Sequence, residues 1–153
     1  MIAFLILLAA VQVPTAEQTL NEASSAFQRG DEVTGRRKLK EAQTLADRDT
    51  EALTSRLSAH ARWDDCIKAT AARVSSQNEH ADVLADAVLG MCLEDENLVR
   101  ARQTQVDRYI DGLEGSALSE EVDKDMAGWR TTQRQTALGI IVNARTATNA
   151  IPR

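Results

Sequence analysis

Cys66 and Cys92 stand 26 positions apart in a chain of 153 residues, and their pairing is the covalent chemistry this sequence most plainly offers. A redox-active pair is not indicated, because Cys-x-x-Cys spacing is absent. Two cysteines and two histidines do not fall at zinc-finger spacing. Two readings stay open at this stage. The thiols form a structural disulfide in an oxidising compartment, or they are buried separately in a reducing one.

Other residues of suitable type are weaker. His60 and Asp64 lie four apart and so share a helix face. With His80 or a further acid they could hold a divalent metal. A polar helix edge with an exposed pair is the simpler expectation. "LEDEN", Leu93 to Asn97, gathers three carboxylates, but on a continuous helix they splay around the axis. Neither a nucleophile elbow nor a glycine-rich phosphate loop supports Ser-His-Asp or phosphoryl chemistry. Trp63 and Trp129 are read as core residues. No catalytic, cofactor-binding or metal-ligating residue is assigned, no cofactor is expected, and the protein is expected not to be an enzyme.

The elements that position these residues are helices. From residue 17 onward proline occurs only at Pro152, alternating apolar-polar runs are nearly absent, and Ala, Leu, Gln, Glu and Arg dominate. The fold class is all-α, with about five helices in a small bundle. A first helix is predicted over 17–29, with Leu20, Ala23 and Phe27 on one face and Gly30 as its stop. Asp31 caps a second helix to about Ala46, with Leu39, Ala42 and Ala46 inward. "DRDT", Asp47 to Thr50, reads as a break. A third helix then carries Leu53, Leu57, Trp63, Ile67, Thr70 and Val74 to a turn at 75–78, where Asn78 is a candidate cap. Ala85, Cys92, Val99, Val106 and Leu113 recur every seven residues, which predicts one long fourth helix ended by Gly112 and Gly115. A fifth starts at Ser119, with acids in its first turns and Arg130, Arg134 and Arg145 later, an order that suits the helix dipole.

This arrangement gives the cysteines a register. Position 79 is midway between 66 and 92 and falls at the predicted turn. In an antiparallel hairpin, residues equidistant from the turn face each other. Cys66 and Cys92 therefore meet, flanked by Ala69, Ala85 and Gly90, whose small size permits close approach.

Composition narrows place and partners. The net charge of −5 argues against a nucleic-acid or anionic-membrane surface. The basic run Arg36-Arg37-Lys38-Leu39-Lys40 lies among acids and reads as a solvated helix face. "MIAFLILLAAVQVPTA" carries no charged side chain, and its apolar run, 2–11, is about half the roughly 20 residues a spanning helix needs. It is expected to be a signal peptide, residues 1–16, followed by a single helical domain over 17–153. Export to the periplasm or outside the cell follows, with no stable membrane span after cleavage.

Two resemblances add to this reading. "ASSAFQRGDEVTGRRKLKEAQTLA", Ala23 to Ala46, resembles a single tetratricopeptide-type motif. Ala23, Gly30, Gly35, Leu39 and Ala42 sit at its small and apolar positions. The motif's closing proline is replaced by Asp47, and a shift of 34 residues finds no second copy. One motif implies a helical hairpin, not a stacked scaffold. "RWDDC", "ADVLADAVLGMC" and "TALGIIVNARTA" resemble small exported helical proteins of alphaproteobacteria, which share a Trp-x-x-Cys, an Ala-rich helix ending in a second cysteine and a late arginine helix. That likeness implies a periplasmic disulfide domain and supplies no activity. The functional expectation is a non-catalytic binding or scaffold protein of the cell envelope. A subunit that self-assembles through the long fourth helix is the alternative, and a hydrolase or metalloenzyme comes third.

Overall fold

The structure is a computed structural model and describes residues 14–149. The expected signal-peptide core lies outside the described residues. Five helices follow: α1 (Ala16–Gln28), α2 (Glu32–Val74), α3 (Ala81–Met91), α4 (Leu93–Tyr109) and α5 (Gly115–Asn149).

Each end of α1 has a local cause. Thr15 Oγ1 accepts a hydrogen bond from the Gln18 amide at 3.2 Å, and Gln18 Oε1 accepts from the Thr15 amide at 3.0 Å, a reciprocal cap. Gly30, at φ +77°, turns the chain, and Asp31 Oδ1 accepts from the Thr34 amide at 3.1 Å to start α2. The expected cut after Ala16 thus falls in the first turn of α1.

The expected break at 47–50 does not exist. α2 runs unbroken for 43 residues, about 64 Å. Its helix-averse side chains are satisfied in place. Thr50 Oγ1 donates to the Ala46 carbonyl at 2.9 Å, and Asp49 accepts from Arg48 at 2.7 Å. Arg48 also donates to the Tyr109 carbonyl at 3.1 Å and lies over the Tyr109 ring at 4.4 Å, which docks the end of α4 on this stretch. Tertiary contacts override the local turn signal.

α2 is the spine for two different layers. Its C-terminal half forms a three-helix bundle with the α3–α4 line and with α5. Arg62 with Asp95 at 2.9 Å and Arg56 with Gln103 at 3.2 Å mark α4 as antiparallel to α2. α5 runs parallel to α2, with Asp125 at the level of Arg56 and Arg145 at Ser75. Trp63, Ile67, Val88, Val99, Met126 and Ile141 fill the core between them. Its N-terminal half carries α1, which packs on no other helix among the described residues.

That hairpin closes through small residues. Ala23, Ala26, Gly35 and Ala42 are buried, and the Phe27 ring sits where a Cβ on Gly35 would meet it at 2.6 Å. Close approach of the two backbones pushes the larger side chains to the flanks. Leu20, Phe27, Leu39, Leu53 and Leu57, expected to face inward, are partly exposed, up to 64 % at Leu57, and Ala46 is exposed as well.

The predicted long fourth helix is two helices. It breaks at Cys92 (φ −103°, ψ 20°), whose amide is shared between the Val88 and Leu89 carbonyls. No proline is present. The break coincides with the bond to Cys66 and follows Gly90, the weakest helix former nearby. The seven-residue stripe still points inward on both sides, with Ala85, Cys92, Val99 and Val106 buried. Asn78 is not a cap: His80 occupies the N-cap of α3 without a side-chain bond. α5 starts at Gly115 rather than Ser119, because Ser119 Oγ donates to the Gly115 carbonyl inside the helix instead of capping it.

Candidate functional site

Cys66 of α2 and Cys92 at the α3–α4 break are at disulfide distance, with their Cα atoms 5.9 Å apart. Cys92 is buried and Cys66 half-buried against the core. Thr70, one turn along α2, is buried beside them, with Oγ1 3.8 Å from Cys92 Sγ and 3.9 Å from Cys66 Sγ. A disulfide sulfur carries no proton, so the hydroxyl is the donor. Such a bond, enclosed among Trp63, Ile67, Val88 and Leu89, is placed to hold helices together.

The polar residues singled out by spacing are dispersed. His60 does not pair with Asp64. It is half-buried with its ring edge-on to Trp129 of α5, centroids 4.3 Å apart. Burial, and then the Arg56 charge, hold its pKa below the ordinary imidazole value. Asp64 instead forms an ion pair with Lys68 one turn on. His80 sits apart at the start of α3. Among the described residues no group of three or more His, Cys, Asp or Glu is placed to hold a metal ion. The "LEDEN" carboxylates splay as expected: Asp95 reaches Arg62, and buried Glu96 accepts from Arg130 of α5 at 2.8 Å. Trp63 is wholly buried, and Trp129 packs against the core edge.

One polar cluster was not foreseen. Gln103 of α4, buried, donates through Nε2 to Asp107 Oδ1 at 2.6 Å and to Asp125 Oδ2 of α5 at 3.0 Å. Its Oε1 accepts from Arg56 Nη1 of α2 at 3.2 Å. One amide therefore ties three helices. Asp107 is only 2 % exposed, and its Oδ2 is buried with no hydrogen-bond partner. Burial, then repulsion by Asp111 and Asp125, raises its pKa above the usual aspartate value, and the Gln103 bond only partly opposes this. The sequence hint was i, i+4 spacing of Gln103 and Asp107 on the inward stripe.

Arg145 near the end of α5 forms a second unexpected contact. Its Nε donates to the Ser75 carbonyl at 3.0 Å, and Nη2 donates to the carbonyls of Gln77 at 2.5 Å and Glu79 at 2.8 Å. A cation placed on the carbonyls that leave α2 closes the α2–α3 loop. The adjoining depression, about 400 Å³, is lined mainly by this loop and by Ala144 and Thr148. A more apolar groove of about 440 Å³ lies between α1 and α2, over Ala16, Leu20, Leu39, Ala42 and Ala46.

No helix among the described residues is long and apolar enough to cross a membrane. No family model, no curated protein and no solved structure matches the chain.

Proposed function

We propose that this chain is an exported helical protein of the cell envelope that acts by non-covalent binding through the surface of its α1–α2 end. The observation that carries the reading is the distribution of exposed apolar side chains. Six of the ten large ones among the described residues, Leu20, Phe27, Val33, Leu39, Leu53 and Leu57, lie on α1 and on α2 between residues 33 and 57. A concentration of exposed apolar side chains at one end of the molecule supports a protein contact there. Asp64, Asp95 and Glu96 are held in ion pairs and His60 packs against Trp129, which supports a non-catalytic role for these residues. The cystine in the core supports an oxidising compartment, and the charge-free apolar leader supports export. A periplasmic or secreted location follows. The net negative charge argues against nucleic acid as the partner.

Site-specific photocrosslinking in intact cells tests this. A photoreactive residue at position 57 is expected to capture a protein, and one at position 94, on the far side of the bundle, is not. A folded His60→Ala, Asp64→Ala, His80→Ala variant is expected to keep that contact. Loss of the crosslink in the triple variant would place the function at a polar site and overturn the reading.

A further inference from the structure

We infer that the exposed face of α2 between residues 36 and 57 is a self-association surface, on which a second copy of this chain lies antiparallel. This does not rest on the envelope reading, since it concerns only what this face fits.

Two stripes run side by side along that face. At 3.6 residues per turn, Leu39, Ala46, Leu53 and Leu57 fall within about 40° of one another. All four are exposed or partly so, and α1 covers α2 only as far as the level of Ala46. Beside them, Arg36, Lys40, Asp47 and Glu51 fall within about 60° of one another, and all four are exposed. Arg36 makes an exposed i, i+4 pair with Glu32 at 3.3 Å. Among the described residues Lys40, Asp47 and Glu51 have no ion-pair partner.

The order of these charges identifies the partner. The cations occupy the N-terminal half of the stripe and the anions the C-terminal half. A parallel copy would set like against like. An antiparallel copy, related by a two-fold axis between Gln43 and Thr44, sets Lys40 against Asp47 and Arg36 against Glu51, twice each. The same axis brings Leu39 of one copy over the gap between Ala46 and Leu53 of the other. An isologous contact requires such a self-complementary patch. Charge of this arrangement selects orientation, and the adjoining leucines supply the apolar burial.

Charge reversal tests the geometry directly. Lys40→Glu alone makes both copies of the first pair repulsive, and so does Asp47→Lys alone. Mixed one to one, the two variants recreate an attractive pair at each position. Sedimentation equilibrium of the oxidised protein at low salt is expected to show a wild-type dimer. Each single variant should bind itself about tenfold or more weakly, and the mixture should recover wild-type affinity. Circular dichroism melts confirm that the exposed substitutions leave the fold intact. A wild-type protein that stays monomeric into the millimolar range overturns the inference. So does a mixture that associates no better than its components.

Discussion

Asp107 is a carboxylate whose removal should strengthen the protein at neutral pH. It sits on α4 facing α5, 2 % exposed, with one oxygen bonded to Gln103 and the other buried without a partner. Asp111 and Asp125 are the nearest repulsive charges. The folded state therefore holds the Asp107 proton more tightly than the unfolded chain does. A group whose pKa rises on folding contributes stability that is complete below its unfolded value, about 3.9, and is lost as pH climbs through the folded value. At neutral pH the raised pKa therefore counts against the folded state. Asp107→Asn keeps an oxygen to accept from Gln103 and removes the charge that Asp111 and Asp125 repel. A buried charge without full pairing costs more than a buried neutral amide, so the expected gain is about 1–2 kcal/mol. For a chain of this size that raises Tm by about 3–8 °C. Thermal melts at pH 7 and near pH 3 are the assay. The gain should be present at pH 7 and shrink towards zero at the acidic end, where wild-type Asp107 is already protonated. A variant less stable than wild type at pH 7, or equally favoured at both pH values, would refute this account of the cluster.

Further outcomes follow from the same contacts. Peptide mapping without reductant should find Cys66 and Cys92 linked in exported protein, and Cys66→Ala with Cys92→Ala should cost about 3.5 kcal/mol by loop-closure entropy, read by urea denaturation. Arg145→Met strands the carbonyls of Ser75, Gln77 and Glu79; it should lower stability by about 2–3 kcal/mol and speed amide exchange mainly within the α2–α3 loop. Gly35→Ala forces a methyl into the Phe27 ring and should cost about 1–3 kcal/mol, whereas Gly128→Ala meets nothing within 4 Å and should stabilise by up to about 1 kcal/mol; paired melts separate the two.

Periodicity made the helical class, the Gly30–Asp31 turn, the 75–78 turn and the cysteine register readable, because each depends on a local rule. The seven-residue stripe through Ala85, Cys92, Val99 and Val106 correctly named the buried face, yet it carried no trace of the break at Cys92. A one-residue interruption at ψ 20° leaves the stripe on the same side. The Asp47–Thr50 error has the opposite origin. Asp47, Asp49 and Thr50 are poor helix formers in isolation, and only Tyr109, 61 positions from Arg48, shows why Arg48 holds the helix through them. Gln103 and Asp107 were passed over for a similar reason. Nothing adjacent in sequence announces that Arg56 and Asp125 will close on them.

The same contacts explain why the two ends of α2 differ in what they can do. At the C-terminal end, α2 is surrounded: the cystine, the Arg145 cap and the Trp63 core lock it to both neighbours, and few apolar side chains are left over. At the N-terminal end α1 covers one side of it, through alanine and glycine contacts too thin to hide Leu20, Leu39 or Phe27. Two packed helices bury one face each and leave the outer flanks wet. A rigid bundle that presents such an open hairpin can bind along a surface at little ordering cost, because α2 is already fixed by the other half of the molecule. The stability of the closed end is thus what would let the open end serve the proposed contact.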